Sequence, residues 1–219
     1  MTKQDDLRFC VAIDGPAGAG KGTLAERLAE RFGFAHLDTG LLYRAVGKLT
    51  MDNARGVVDE TLATLVARDL KPQHLTMPGL RTALAARAAS KVAAFPEVRR
   101  SLLDFQRDFA RRPGGAVLDG RDIGSVVVPT ANVKFYVTAS VEERARRRHA
   151  ELTAAGETVS LERLVREIAE RDHRDETRPD APLTRAADAH LLDTTDLDIE
   201  AAAAEAAAIV ETALGRDAV

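Results

Sequence analysis

The stretch Phe9-Cys10-Val11-Ala12-Ile13-Asp14-Gly15-Pro16-Ala17-Gly18-Ala19-Gly20-Lys21-Gly22-Thr23-Leu24 decides how the rest of the chain is read. Its first part, Phe9 to Ile13, is an unbroken apolar run that stops at Asp14-Gly15-Pro16. That is the pattern of a strand buried on both faces where it meets a tight turn. From Thr23 to Phe32 the apolar residues recur at helical spacing, and Gly33 closes the helix. Between strand and helix, Gly15 to Lys21 has the G-x-x-x-x-G-K spacing of a phosphate-binding loop, the P-loop. The chemistry needs this layout. Glycines let successive backbone N–H groups turn toward phosphate oxygens, and the helix N-terminus adds partial positive charge. Lys21 supplies a full charge to a transferring phosphate. Gly15, Pro16, Ala17, Gly18, Ala19, Gly20, Lys21, Gly22 and Thr23 are therefore the expected nucleotide-binding residues. The plain alternative, a glycine-rich turn that holds no nucleotide, does not account for the strand before it and the helix after it.

Working outward, strands and helices alternate. Phe34–Leu37 reads as a second strand stopping at Asp38-Thr39-Gly40, with a helix carrying Leu42, Ala45, Val46 and Leu49 behind it. Ala116–Leu118 before Asp119-Gly120, then Val133–Val137, and finally His190–Leu192 read as the remaining strands. Helical periodicity covers Pro96–Arg111, Val141–Ala155, Leu161–Arg174 and Ile199–Leu214. This alternation predicts an α/β fold with a five-stranded parallel sheet flanked by helices. Residues 52–94 and 154–182 fit the sheet poorly and read as additions over one edge of the core, where open α/β sheets bind ligands.

Bulk properties agree with a folded domain: 219 residues, 45% hydrophobic and 30% charged. A formal net charge of −3 offers no overall basic field for a nucleic acid polymer. Only Lys3, Lys21, Lys48, Lys71, Lys91 and Lys134 are lysines; the rest of the 31 basic residues are arginines, the better fork for phosphate. A GC-rich genome accounts for the same bias, so position has to decide. Cys10 stands alone in an apolar run and reads as a buried strand residue. The polar start, Met1 to Arg8, is unlike a signal peptide, and no apolar run is long enough to span a bilayer; the expectation is a cytoplasmic protein.

Further motifs narrow the class. Gly22 stands where a P-loop usually has a hydroxyl, and Thr23 follows. This Gly-Lys-Gly-Thr variant is typical of nucleoside monophosphate kinases. Asp38-Thr39-Gly40 with Tyr43-Arg44 comes next, then Ala93-Ala94-Phe95-Pro96-Glu97-Val98-Arg99. Leu118-Asp119-Gly120-Arg121-Asp122-Ile123-Gly124 follows, then Glu170-Arg171-Asp172-His173-Arg174-Asp175, and Arg178 with Ala181-Pro182-Leu183. Each motif alone is weak, but in this order, from the P-loop to the last strand, the chain resembles bacterial cytidylate kinases.

The resemblance implies a single P-loop kinase domain over 1–219. Its core would be 7–51, 95–150 and 183–219, with an acceptor-binding insert over about 52–94 and a lid over about 150–182. It implies transfer of a phosphoryl group from ATP to CMP or dCMP with Mg²⁺, in a protein likened to a monomer. On the acceptor side, the residues matching Thr39, Arg44, Arg121 and Arg178 hold the CMP phosphate, a task suited to a hydroxyl and several guanidinium forks. Those matching Ser90, Arg99 and Asp122 face the base. A carboxylate there accepts from the cytosine amino group, whereas uracil would set lone pairs against lone pairs. Arg171 and Asp175 match residues that contact the sugar, and their i, i+4 spacing puts them on one helix face. Asp119 matches a carboxylate that anchors Mg²⁺ through its water shell; a turn or N-cap aspartate is the alternative. Lys21, Arg121 and Arg174 are the expected catalytic residues.

In monophosphate kinases a lid closes over ATP, and its arginines stabilise the moving phosphoryl group. Here Arg144, Arg146, Arg147, Arg148, Arg171 and Arg174 bracket the 154–158 turn. A run such as 144–148 wraps around a helix, so most of it is expected to be solvated; Arg174, and after it Arg148, are the expected phosphate contacts. His149 and His173 are expected to be surface residues, because an ionised phosphate acceptor needs no histidine base.

The insert looks shortened: a helix over Thr61–Leu70, a loop with Pro72 and Pro78, and a helix from Leu80 to Val92. Rival readings are weaker. An adenylate kinase would carry aspartate-glycine-phenylalanine-proline-arginine after the third strand, where Asp119-Gly120-Arg121-Asp122 stands. A GTPase switch would need an Asn-Lys-x-Asp motif. UMP or shikimate kinases on the same fold, and a non-catalytic binding module, are separated by testing acceptors directly.

Overall fold

The computed structural model of the protein describes residues 7–154 and 156–215. Residues 1–6 of the polar start and Ala155, the expected last residue of the Val141 helix, lie outside the described residues. The strands are β1 (Cys10–Asp14), β2 (Ala35–Asp38), β3 (Ala116–Gly120), β4 (Val133–Thr138) and β5 (His190–Asp193). The helices are α1 (Lys21–Phe32), α2 (Thr39–Asn53), α3 (Glu60–Arg68), α4 (Ala83–Val92), α5 (Pro96–Ala110), α6 (Val141–Ala154), α7 (Leu161–Thr177) and α8 (Ile199–Ala213). They form two compact units, Met1–Leu37 with Ala110–Val219, and Asp38–Phe109.

The first unit holds the sheet, in the order β2-β3-β1-β4-β5, with β1 parallel to both β3 and β4 and β4 parallel to β5. β1 and β3 are buried at every position, which is why both read as continuous apolar runs without alternation. Val11, Ile13, Val117, Phe135, Val137 and Leu192 pack with Leu24 and Leu28 of α1 and Ala206 and Val210 of α8. Burying a side chain of this size contributes about 1.5–3 kcal/mol. A separate cluster of Ala145, Leu152, Leu164 and Ile168 joins α6 to α7. The register sets Asp14 opposite Gly120 on one side and Tyr136 on the other, so the ends of β1 and β3 lie together, beside β4, where the glycine loop begins.

In the second unit α2 packs on α4 at close range: a Cβ built on Gly47 would lie 2.8 Å from the Ala88 Cβ. The two helices expected in the 52–94 stretch are α3 and α4, separated by a 3₁₀ turn over Pro72–Thr76. Two local features differ from the sequence reading. Helix α7 runs on to Thr177 rather than stopping at Arg174, and Ile123–Val127 forms a π-helical turn, with Val127 N–H donating to the Asp122 carbonyl and Val128 N–H to Ile123.

Candidate active site

The glycine loop leaves β1 by a contact only glycine can make. Gly15 has φ 146°, and a Cβ there would sit 1.9 Å from the Val137 carbonyl oxygen. Gly20 (φ 88°) then turns the chain into α1, whose first turn carries no acidic residue and no side-chain cap. The positive end of that helix is thereby left for a ligand anion. Three of the loop's carbonyls are held by side chains. Lys21 Nζ donates to Pro16 O (2.7 Å), Arg144 to Ala17 O (3.1 Å) and the Thr194 hydroxyl to Ala19 O (3.1 Å).

Arg144 departs from the expectation that the 144–148 run is mostly solvated. It is 3% exposed, bonds the Ala139 carbonyl and pairs with Asp172 of α7 at 2.6 Å. Arg147 donates to the Thr194 hydroxyl that in turn holds Ala19. Arg146 and Arg148 behave as solvated helix residues, pairing with Glu143 and Glu151 of their own helix.

Lys21 is buried, and burial drives its pKa well below the ordinary lysine value; the cations Arg121 and Arg171 act the same way, while Asp119 and Asp14 oppose them. The lysine thus sits in a field that an incoming anion would relieve. Around it the strand ends carry alternating charges. Asp119, 6% exposed and the fourth residue of β3 rather than a turn or cap residue, accepts from His36 Nε2 at 2.7 Å. Arg121 donates to Asp175 (2.9 Å), and Arg171, one turn earlier on α7, lies 3.9 Å from the same carboxylate. Arg178 reaches Asp122 at 3.4 Å and bonds the Ala181 carbonyl. Burial pushes the Asp175 carboxyl up, but Arg121, Arg171 and Arg178 together outweigh it and hold the group below the ordinary aspartate value. Arg174 and His173, further along the same helix, are exposed, and His149 is half-buried on α6.

Asp14 and Tyr136 were not legible as site residues. Asp14, 5% exposed, accepts the N–H groups of Ile123 and Gly124, each at 2.7 Å. Burial pushes its carboxyl up to about 6, against the pull of those two bonds. The Tyr136 hydroxyl lies in the same field: burial raises its pKa, and Glu176, Asp172 and Asp14 add to the shift.

Among the described residues no group of three or more His, Cys, Asp or Glu side chains is arranged to cage a metal ion. A nearly buried carboxylate at Asp119, beside a phosphate loop, is instead the donor set that suits a hard, hydrated Mg²⁺ carried mainly by phosphate oxygens.

The second unit holds the other predicted residues on α2, α4 and α5. Thr39, 3% exposed, opens α2. Arg44 donates to the Leu80 carbonyl (3.0 Å), Arg99 is buried with its guanidinium 3.4 Å from the Tyr43 hydroxyl, and Ser90 is half-buried on α4.

A glycine loop with a buried lysine, set between the central strand of a parallel sheet and the helix behind it, defines an α/β P-loop nucleotide-binding protein. The overall fold is shared with an uncharacterized protein from Eubacterium ventriosum ATCC 27560, at TM-score 0.56 and 12% identity over 95% of this chain and 99% of that one. The family model for cytidylate kinase matches residues 11–212. The chain is 55% identical to a cytidylate kinase of Cereibacter sphaeroides (strain KD131 / KCTC 12085), over 94% of its own length and 96% of that protein's. It is 50% identical to one from Rhizobium meliloti (strain 1021), over 95% and 98%. This chain belongs to the cytidylate kinase family and is an enzyme, a nucleoside monophosphate kinase. No helix among the described residues is long and apolar enough to cross a membrane.

Proposed function

We propose that the protein transfers the γ-phosphoryl group of ATP to CMP and dCMP, giving CDP, dCDP and ADP, as a cytoplasmic monomer. One observation carries the reading: end-to-end kinship with cytidylate kinases, at 55% identity across 94% of the chain. The mechanism is direct in-line transfer with no covalent enzyme intermediate. The acceptor phosphate is already an anion with a nucleophilic oxygen, so the protein's work is alignment and charge neutralisation.

Residues 15–23 and Lys21 hold the donor phosphates. Thr39, Arg44, Arg121 and Arg178 hold the acceptor phosphate, and Arg174 reaches the moving group from the lid, residues 150–182. Ser90, Arg99 and Asp122 read the base, with Asp122 accepting from the cytosine amino group, and Arg171 and Asp175 take the sugar. Asp119 would hold Mg²⁺ through water, and the ion would supply charge neutralisation at the donor phosphates. His36, which donates to Asp119, fixes that carboxylate's orientation.

The test is a coupled assay of ADP formation across CMP, dCMP, UMP, AMP and GMP. CMP and dCMP are expected to turn over fastest; ADP formation that ignores the acceptor would overturn the assignment. Replacing Asp122 by Ala is expected to cost more kcat/KM with CMP than with UMP, measured in the same assay.

A further inference from the structure

Asp14 joins two parts of the chain that are far apart in sequence. It is the last residue of β1 and the neighbour of Gly15, whose contact with Val137 leaves the loop's first step no room to shift. Across 109 and 110 residues, its two carboxylate oxygens each accept one N–H, Oδ1 from Ile123 and Oδ2 from Gly124, both at 2.7 Å. These are the first two amides after Arg121-Asp122 and lie at the start of the π-helical turn. The space is tight as well: a Cβ on Gly124 would meet Asp14 Oδ2 at 3.3 Å and the buried Lys134 chain at 3.1 Å. A carboxylate is the only side chain that accepts two adjacent N–H groups at this reach, because Asn offers one acceptor and turns a donor toward the second N–H.

We propose that Asp14 is a positioning residue for acceptor selection, clamping the 121–124 segment to the start of the phosphate loop so that Arg121 and Asp122 face the acceptor in a fixed register. The inference rests on the reading of Asp122 as the base-facing carboxylate. Arg121 and Asp122 leave this clamp directly, Arg121 pairing with Asp175 and Asp122 with Arg178. Those partners lie on α7 and at its C-terminal end, whereas the Asp14 carboxylate belongs to the central strand of the sheet. The sheet register fixes Gly120 just before the two side chains, and the anchor at Asp14 fixes Ile123 and Gly124 just after them. The raised pKa of the buried carboxyl accords with a group kept in an unfavourable place by its two N–H donors.

The experiment compares wild type, Asp14→Asn, Gly124→Ala and Asp122→Ala for kcat and KM with CMP, UMP and ATP. Exchange protection of the Ile123 and Gly124 amides is measured alongside. Asp14→Asn is expected to lower the CMP-to-UMP ratio of kcat/KM about tenfold, to leave the KM for ATP near wild type, and to expose one of the two amides to exchange. Gly124→Ala, which presses on the carboxylate without changing its charge, is expected to move the ratio the same way by less, and it decides the matter if Asp14→Asn does not fold. An unchanged ratio, or CMP and UMP rates falling equally and in step with thermal stability, overturns the proposal and leaves Asp14 a structural residue. If Asp122→Ala keeps the CMP preference while wild type phosphorylates CMP, the base-facing reading fails and this inference fails with it. If Asp122→Ala loses the preference and neither clamp variant does, only the role of Asp14 is overturned.

Discussion

Lys21 is a cation held where a cation is unfavourable. Burial and two neighbouring guanidiniums press it toward neutrality, while Asp119 and Asp14 pull the other way. Removing it relieves that burial but leaves Asp119 and Asp14 with one cation fewer and takes away the donor to the Pro16 carbonyl, so the fold should persist at some cost in stability. We expect Lys21→Ala to fold with a lowered melting temperature while kcat falls by about 10²-fold or more. Near wild-type kcat would contradict its role. The glycine and lysine spacing was plain in the sequence because every residue of the loop is a neighbour of the next. Asp14, Arg144 and His36 were not, because their partners lie far along the chain: Ile123, Ala17 and Asp119 respectively. A carboxylate at a strand end looks the same whether it caps a turn, anchors a distant backbone or holds an ion. Only the folded register tells these apart.

At the scale of elements, the apolar run and the helical periods marked nearly every strand and helix, because burial on one face or two leaves a repeat in the sequence. The π-helical turn at Ile123–Val127 left none, since five residues are too few for any period to show. Strand β1 makes its own prediction through Cys10. Burial pushes that thiol up to about 12 from an ordinary 9.0, so near pH 8 the thiolate is roughly a thousandfold scarcer than in an open chain. Folded protein should resist iodoacetamide and unfolded protein react at once, with mass spectrometry counting the adduct. The sign for stability follows. The unfolded thiol ionises first, so this group's contribution is complete below pH 9 and is lost as the pH climbs from 9 toward 12. Packing of α2 on α4 predicts that Gly47→Ala, whose methyl would meet Ala88 at 2.8 Å, costs about 1–3 kcal/mol in urea unfolding unless the helices separate. An unchanged midpoint would mean that they do.

For the molecule as a whole, the net charge of −3 conceals a cluster of guanidiniums at Arg121, Arg171 and Arg178 in the first unit. Composition could not reveal it, because the same arginines spread over a surface give the same total. Arg121 and Asp175 are largely buried, at 19% and 11% side-chain exposure, and under the proposed assignment the cluster opens to a nucleotide, so salt should compete there. Raising sodium chloride from about 0.05 to 0.5 M is expected to raise the KM for CMP several-fold, with a far smaller change in thermal stability. A KM insensitive to salt would argue against an ionic grip on the acceptor. The pairing of Arg121 with Asp175 and Arg178 with Asp122 carries one more implication. Under the proposed assignment, an arriving nucleotide does not meet naked charges; it takes part in a double exchange. Its phosphate substitutes for the carboxylates at the guanidiniums, and its sugar hydroxyls and ring amine hand the displaced carboxylates new donors. A bare phosphate could perform only the first half of that trade, so whole nucleotides are rewarded and fragments turned away. When product departs, each ion finds its old companion waiting.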